Sequence, residues 1–305
     1  MIRYIDAHRE RFGVEPICDV LQFAPSTYYA AKTRPACARA VRDAELRVEI
    51  ERVWWENRCV YGARKIYKHL RREGIVEARC RIERLMRDMG ICGRTRGAKR
   101  RTTIPADITA RPADLVERNF KASAPNLLWI ADITYVATWS GFAYAAFVAD
   151  VFSRRILGWR VSNTLRADLA LDALEQAIWA RQGEDLAGLV HHSDRGVQYL
   201  SIVYTERLAA EAAVTSVGSR GDSYDNAMAE SIIGLYKSEC IRLEGPWRTV
   251  EDVELATLSW VHWWNNQRIL EPIGDVSPVE FENAWHAQHQ RESITDPDPA
   301  VEVIS

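Results

Sequence analysis

The chain has 305 residues, of which 47% are hydrophobic and 27% are charged, a composition typical of a soluble globular protein with two or three domains. No apolar run is long enough to cross a membrane, and charges near the N-terminus stand where a signal peptide has its apolar core. The six cysteines are scattered and form no CxxC pair, which argues against a disulfide scaffold and a zinc finger. We therefore expect a cytoplasmic protein with reduced thiols.

Charge is concentrated in one part of the chain, although the net charge is only −2. Residues 45–101 hold 17 Lys and Arg against eight Asp and Glu, a local balance of +9 that ends in the run RTRGAKRR. A basic module beside a near-neutral body is typical of an enzyme that binds DNA, although a solvated basic face without a partner has the same composition. The acidic segment 289–305 is predicted to be a disordered tail.

The first third of the chain is predicted to be helical. An N-terminal helical segment (1–44) precedes two short helices, expected at about 63–73 and 78–89. Two short helices joined by a Gly-containing turn resemble a helix-turn-helix, which places a DNA-binding domain at residues 45–93. Any antiparallel pair of helices has a similar pattern, so that alternative stays open.

The second helix of this pair has one apolar and one basic face. Apolar residues recur at helical spacing from Ile82 to Met89, whereas Arg84 and Arg87 fall on the opposite face with Arg81 at its flank. A basic outer face is what a helix needs in order to contact DNA phosphates.

The middle of the chain changes from helical to strand-forming composition. Residues 94–125 lack periodicity and are predicted to be a linker, basic at its start. Three strands, a helix, a strand, a helix, a strand and a long helix then follow in the order of an RNase H-like α/β core, residues 126–242, with a mixed five-stranded sheet and flanking helices. Their predicted ranges are 128–136, 141–152, 155–161, 166–181, 188–191, 202–211, 213–218 and from about 224.

A C-terminal helical segment is predicted at residues 243–288. Apolar residues line one face of its first helix, and the segment from Ser277 to Glu280 is a capping box with Pro278 at the first helical position. Tryptophans 260, 263 and 264 can stack on DNA bases, but their helical spacing favours packing in the core.

Three carboxylates stand out by their positions. Asp132 lies in the middle of the first predicted strand, Asp194 follows a short apolar strand, and Glu230 lies inside the last helix of the core. Convergence of three carboxylates is costly unless a cation compensates their charge, and carboxylate oxygens favour Mg²⁺ or Mn²⁺. Taken singly, each is better explained as a surface or turn residue; Asp150 also ends a strand, and Asp225 is a candidate helix cap.

The spacing of these carboxylates resembles a known signature. Between Asp194 and Glu230 lie 35 residues, and Lys237 follows Glu230 by seven, which is similar to the D,D(35)E pattern of retroviral integrases and many bacterial transposases. The surrounding segments WIADITY, HSDRGVQY and YDNAMAES, with YGAR upstream and WNNQR and SPVEF downstream, resemble the second-frame transposase proteins of the IS-three (insertion sequence three) family. Two departures are Leu270, where many relatives carry His, and Trp264, where many carry Tyr.

The resemblance implies a function and a location. It implies that Asp132, Asp194 and Glu230 bind two metal ions, that DNA is cut at the ends of the element, and that the freed 3′-hydroxyl attacks another phosphodiester directly. It also implies terminal inverted repeats and target DNA as partners, a homo-oligomer on DNA, and a bacterial, nucleoid-associated protein. Family members are often fused to an upstream-frame product that carries a zipper; no heptad zipper is visible here, so that product is an expected partner.

The last helix of the core agrees with this role. Asn226, Glu230, Gly234 and Lys237 are expected on one helical face. Gly234 either leaves room for DNA or packs against a bulky neighbour, and His192 either contacts the scissile phosphate or binds a backbone carbonyl. The residues predicted to contact DNA are Arg64, Lys65, Arg81, Arg84, Arg87, Arg94, Arg96, Lys99, Arg100, Arg101, His192, Arg195, Asn226, Lys237 and Arg268.

Two other functions fit the same pattern. A hydrolytic nuclease of this fold would stop after cleavage, and a regulator derived from a transposase would bind DNA without chemistry. The basic helical module favours transposition over a plain nuclease, because recognition of specific DNA ends requires such a module. The presence of all three carboxylates argues against the regulator.

Overall fold

The computed structural model describes residues 1–94, 122–194, 198–199, 201–217 and 227–295. Across these residues, no helix is both long and apolar enough to span a bilayer. The predicted DNA contacts Arg96, Lys99, Arg100, Arg101, Arg195 and Asn226 lie outside the described residues, as does the alternative helix cap Asp225.

The N-terminal part contains two small helical units. Helices α1 (Ile2–Phe12), α2 (Val14–Val20) and α3 (Pro25–Thr33) bury Ile5, Ile17 and Tyr28 in a core of their own. Helices α4 (Ala38–Glu56), α5 (Ala63–Arg72) and α6 (Arg79–Asp88) form the second unit, which confirms the predicted helix pair and adds a long helix before it. Helix α4 is continuous across the boundary predicted between residues 44 and 45, because its buried residues from Asp43 to Val53 follow a single helical period.

The central part is the mixed five-stranded sheet that the order of elements predicts. Strands β1 (Leu128–Thr138), β2 (Gly141–Asp150) and β3 (Ile156–Ser162) are antiparallel neighbours. Strands β4 (Val190–Ser193) and β5 (Val214–Val217) extend the sheet in parallel, in the order β3-β2-β1-β4-β5. Helices α7 (Ala167–Ala180), α8 (Ile202–Ala210) and α9 (Ala227–Tyr236) complete the RNase H-like arrangement.

The two faces of the sheet are covered by different helices. Trp129 and Ala131 of β1 pack in the cluster that contains the apolar residues of α7 and α8, whereas Ile130 and Val136 pack with those of α9 and the C-terminal helices. This alternation follows from the two-residue period of a strand, and it makes β1 buried on both faces. Gly158 lets α7 approach β3 closely, since a Cβ there would overlap a backbone carbonyl of the helix.

The C-terminal segment is more extensive than the sequence predicts. Helix α9 continues into a π-helical turn (Lys237–Ile241) and the short α10 (Arg242–Glu244), followed by α11 (Val250–Asn266), a 3-10 turn (Glu271–Ile273) and α12 (Pro278–Thr295). Helix α12 extends through residues 289–295, which were predicted to belong to the disordered tail. The predicted capping box at Ser277 and Glu280 is confirmed by hydrogen bonds in both directions.

Helix α12 is anchored to the core through one carboxylate. Glu282 is 1% exposed and binds both Arg181 and Arg155, the latter at 2.7 Å. The hydroxyl of Ser153 donates a further hydrogen bond of 2.7 Å to Glu282. These contacts, chiefly the hydrogen bond from Arg181, lower the pKa of Glu282 despite its burial. The isolated sequence does not show this partner, because Arg181 lies 101 residues away along the chain.

Candidate active site

Asp132 lies on the central strand of the sheet. Its position on β1 is opposite Phe147 of β2, on the face that α9 covers, and it lines a narrow cavity with Ile130 and Ala229 among others. Its carboxylate accepts a hydrogen bond of 2.8 Å from the backbone N–H of Ile133. A half-buried carboxylate on a central strand requires an electrostatic partner or a function.

Asp194 follows β4 immediately. Strand β4 pairs in parallel with β1 as far as Ser193 and Ala131. The next residue of each strand, Asp194 and Asp132, therefore lies at the same level of the sheet. The short apolar strand before Asp194 is therefore what brings the second carboxylate to the first.

Glu230 completes the cluster from helix α9, which packs on β1. The pKa of Asp132 is raised well above its usual range, first by burial and then by the charges of Asp194 and Glu230. The three carboxylates that the sequence singled out thus lie close enough to interact electrostatically. Asp150, the alternative on β2, is fully buried and accepts hydrogen bonds from the backbone N–H groups of Asn126 and Ser153, which is a structural role.

Lys237 is a cation whose charge acts on this cluster. Its charge opposes the rise in the pKa of Asp132, while partial burial lowers the pKa of Lys237 itself. Its ammonium lies 5.1 Å from the ring centroid of Tyr135. Lys237 is also the first residue of the π-helical turn, a feature that α-helical spacing does not reveal and that is frequent at functional sites.

Two histidines of β4 precede Asp194 in the sequence. His192 is buried, and its Nδ1 is 2.9 Å from the hydroxyl of Ser216 on β5. This hydrogen bond is neither of the two contacts that the sequence left open for His192, and its contact with the scissile phosphate stays a prediction. His191 points to the other face, where Tyr204 binds its Nε2 at 3.0 Å and burial lowers its pKa to about 3.

Comparisons with known proteins identify the family. Residues 122–223 and 230–285 match models described as an integrase core domain, and residues 41–99 match an HTH-like domain. A putative transposase for insertion sequence element IS986/IS6110 of Mycobacterium tuberculosis is 56% identical over 274 residues, covering 89% of this chain and 99% of that protein. The transposase for IS629 of Shigella sonnei is 51% identical, covering 94% of this chain and 97% of that protein.

The resemblance extends to the element after which the family is named. The transposase InsF for insertion sequence IS3A of Escherichia coli is 30% identical, covering 92% of this chain and 97% of that protein. The chain belongs to the IS-three family of transposases. It is a DNA-binding polynucleotidyl transferase with an HTH-like domain and an integrase core domain.

Likeness to solved structures is weaker. The HTLV-2 integrase catalytic core domain, solved in complex with magnesium, is 15% identical with a TM-score of 0.39, covering 53% of this chain and 99% of that chain. The family of the transposase rests on its sequence relatives, and its sheet order on its own structure.

The HTH-like unit of the transposase packs against its own C-terminal segment. The backbone N–H of Ile269 donates a 2.8 Å hydrogen bond to the Tyr61 hydroxyl, and Trp263 donates one of 3.3 Å to Asn57. Leu270, one of the departures from the family pattern, is buried beside this contact. The HTH-like domain that the sequence predicts therefore packs against the C-terminal segment, and apolar residues of both share one core.

Three residues predicted to contact DNA lie at or near this packing. Arg268 is 4% exposed and binds the buried Glu239 at 2.9 and 2.5 Å. Arg64 forms an ion pair with Glu271. Lys65 is half-buried with its ammonium 4.9 Å from the Tyr61 ring, and burial, followed by the charge of Arg268, lowers its pKa to about 7. Arg268 and Lys65 are therefore not placed as free cations for DNA, whereas Arg64 is exposed beside Glu271.

The remaining basic residues of the HTH-like unit differ in exposure. Arg81 and Arg84 each bind the buried Asp43 at 2.8 Å, and these hydrogen bonds, that of Arg81 first, lower the pKa of Asp43. Arg87 and Arg94 are exposed, and within the described ranges neither forms an ion pair. They are the better candidates for contact with DNA.

Proposed function

We propose that the transposase cuts DNA at the ends of its insertion sequence and joins the freed 3′-hydroxyl directly to another phosphodiester. Asp132, Asp194 and Glu230 hold two Mg²⁺ ions in this reaction. The observation that supports it is the raised pKa of Asp132, whose causes include the charges of Asp194 and Glu230. A carboxylate whose charged form is disfavoured by two neighbouring carboxylates is a candidate site for a compensating cation.

The donor atoms suit divalent magnesium or manganese. All three side chains offer hard carboxylate oxygens, and the set contains neither thiolate nor imidazole. In the part of the chain that the structure describes, no group of three or more His, Cys, Asp or Glu side chains is already spaced as a ligand set. When bound, such ions activate the attacking oxygen and stabilise the leaving oxygen at phosphorus.

The other residues of the site bind and orient DNA. The charge of Lys237 acts on Asp132, and its ammonium is proposed to contact a phosphate near the reacting one. The apolar residues of α9, including Ala229 and Ile232, hold Glu230 against β1 and exclude water behind it.

Recognition of the DNA ends is assigned to the HTH-like unit and the basic segment after it. Arg87 and Arg94 are exposed, and Arg94 begins the run RTRGAKRR. The other cations of this run are Arg96, Lys99, Arg100 and Arg101. Duplex terminal repeats and target DNA are the proposed DNA partners. We propose that a homo-oligomer binds them and that it also binds the product of the upstream frame. Phosphate contacts of this kind position DNA without reading its bases.

A strand-transfer assay tests the proposal. Labelled duplexes that carry the terminal repeats are incubated with the transposase and Mg²⁺, and products are separated by size. The proposal expects joined products longer than the substrate. Cut products alone would identify a nuclease, and a shift in mobility without chemistry would identify a regulator.

A further inference from the structure

Three exposed aromatic side chains cluster at the end of the β1–β2 hairpin. Tyr135 is 46% exposed, Trp139 is 70% exposed and Phe142 is 53% exposed. Tyr135 and Phe142 are diagonal neighbours across the strand pair, with ring centroids 5.7 Å apart at 88°. We call these three residues the hairpin aromatics.

Two cations flank the hairpin aromatics. The ammonium of Lys237 lies 5.1 Å from the ring of Tyr135, and the guanidinium of Arg248 lies 5.5 Å from the ring of Trp139. Within the described residues neither cation forms a salt bridge, and each lies over an aromatic face. A surface that combines aromatic faces with cations suits a polyanion that carries flat, apolar groups.

The hairpin end is held in place by the chain before α11. The backbone N–H of Trp139 donates a 3.0 Å hydrogen bond to the carbonyl of Trp247, and Thr138 forms an isolated bridge with the same residue. The indole of Trp247 in turn donates to the carbonyl of Ile241 at 3.0 Å. The backbone at Trp139 is therefore fixed before binding, which lowers the entropy lost there on binding.

The hairpin aromatics and Asp132 are carried by the same strand. Tyr135 follows Asp132 by three residues on β1, about 10 Å at a rise of about 3.3 Å per residue, and the two side chains point to opposite faces of the strand. Strand β4 pairs with β1 only as far as Ala131, so it does not cover this stretch of the strand edge. The charge of Lys237 acts on Asp132, and its ammonium lies over the ring of Tyr135. Lys237 therefore links the carboxylates to the hairpin aromatics.

We propose that the hairpin aromatics bind an unpaired base of the DNA strand next to the cut phosphate, with Lys237 and Arg248 on its phosphates. The proposal rests on the proposed function. An unpaired base is required because the base faces of a duplex are already covered by stacking. A second copy of the chain is a poorer occupant, since a two-fold contact would bring the like charges of the two copies together.

Single-strand binding tests this assignment. Anisotropy of a fluorescein-labelled oligothymidine of about 12 nucleotides, without Mg²⁺, measures affinity for the full chain at several salt concentrations. Trp139→Ala is expected to weaken binding about tenfold with an unchanged salt slope, because stacking releases no counterions. Arg248→Ala is expected to reduce the slope by about 0.7. Trp179→Ala removes a tryptophan that is 76% exposed on α7 and should bind like wild type.

The outcomes separate this inference from the proposed function. If wild type joins DNA ends but Trp139→Ala binds the oligothymidine as wild type does, the hairpin site is wrong and the transposition chemistry stands. If wild type binds the oligonucleotide but joins no ends, the proposed function fails instead. Light scattering tests whether a second copy of the chain occupies the surface instead. If wild type is a dimer and Trp139→Ala is a monomer with unchanged oligonucleotide binding, the surface is an interface between copies and the proposal is wrong.

Discussion

Ser193 of β4 pairs with Ala131 of β1 in parallel register. Each strand then continues with an aspartate, so Asp132 and Asp194 lie side by side although 61 residues separate them in the sequence. Helix α9 adds Glu230 from the face above. One register thus positions two of the three proposed metal ligands, and a slip of one residue would turn one of them to the opposite face of the sheet.

The first prediction concerns the charge of these three ligands. Asp132→Asn, Asp194→Asn and Glu230→Gln should each abolish cleavage and joining while duplex binding by mobility shift stays near wild type. In EDTA the melting temperature of Asp132→Asn should equal or exceed that of wild type, because the change removes one of three repelling charges.

Asp150→Asn is the matched control for that series. Asp150 is buried and accepts hydrogen bonds of 2.9 Å from two backbone N–H groups. Its replacement should lower stability by about 1–3 kcal/mol, while the folded fraction still joins ends. Joining by Asp194→Asn in Mg²⁺, or its loss in stable Asp150→Asn, would contradict the assignment of roles.

Much of this site follows from local sequence, and some of it does not. Strand composition predicts that Asp132 lies on a strand, whereas the cluster of three carboxylates was expected from the resemblance to the D,D(35)E signature. Arg268 was predicted to contact DNA, and the sequence does not show its buried partner Glu239, which lies 29 residues earlier in a π-helical turn. His192 was open to two alternatives, and only the pairing of β4 with β5 brings it to Ser216.

The second prediction separates DNA contact from folding in the HTH-like unit. Arg87→Ala should weaken binding to terminal repeats and reduce the salt slope by about 0.9, with an unchanged melting temperature. Arg84→Ala should lower the melting temperature, because it removes one of the two arginines that neutralise the buried Asp43. An unaltered slope for Arg87→Ala would mean that α6 does not face DNA, and equal stability of the two variants would mean that Arg84 does not stabilise the fold through Asp43.

The third prediction concerns Lys237. Lys237→Glu should lose strand joining and most binding to the DNA ends, whereas Lys237→Arg should keep part of both, because the reversed charge repels phosphate and the arginine retains it. Both variants should melt within a few degrees of wild type. An active Lys237→Glu protein, or one that is inactive only because it has unfolded, would rule out a contact between Lys237 and DNA.

The fourth prediction links pH to the anchor of α12. The pKa of Glu282 is lowered in the folded chain, so its contribution to stability is present above the pKa of an unfolded glutamate and is lost as the pH falls through the lowered value. Glu282→Gln should cost about 3–5 kcal/mol at neutral pH, because Arg181 stays buried without its counter-charge. The difference between the variant and wild type, followed by urea denaturation, should shrink on acidification; a constant difference would contradict the ion pair.

The most direct test of the central claim exchanges one proposed ligand for a softer one. Asp194→Cys places a thiolate where the account assigns a carboxylate bound to metal, and thiolates are poor ligands for Mg²⁺. Strand joining of precut, labelled ends is measured for this variant in Mg²⁺ and in Mn²⁺, beside wild type and Asp194→Asn. The account predicts no joining by Asp194→Cys in Mg²⁺, recovery of joining in Mn²⁺, and none by Asp194→Asn in either metal. Equal joining by Asp194→Cys in both metals would show that Asp194 does not bind the catalytic ion.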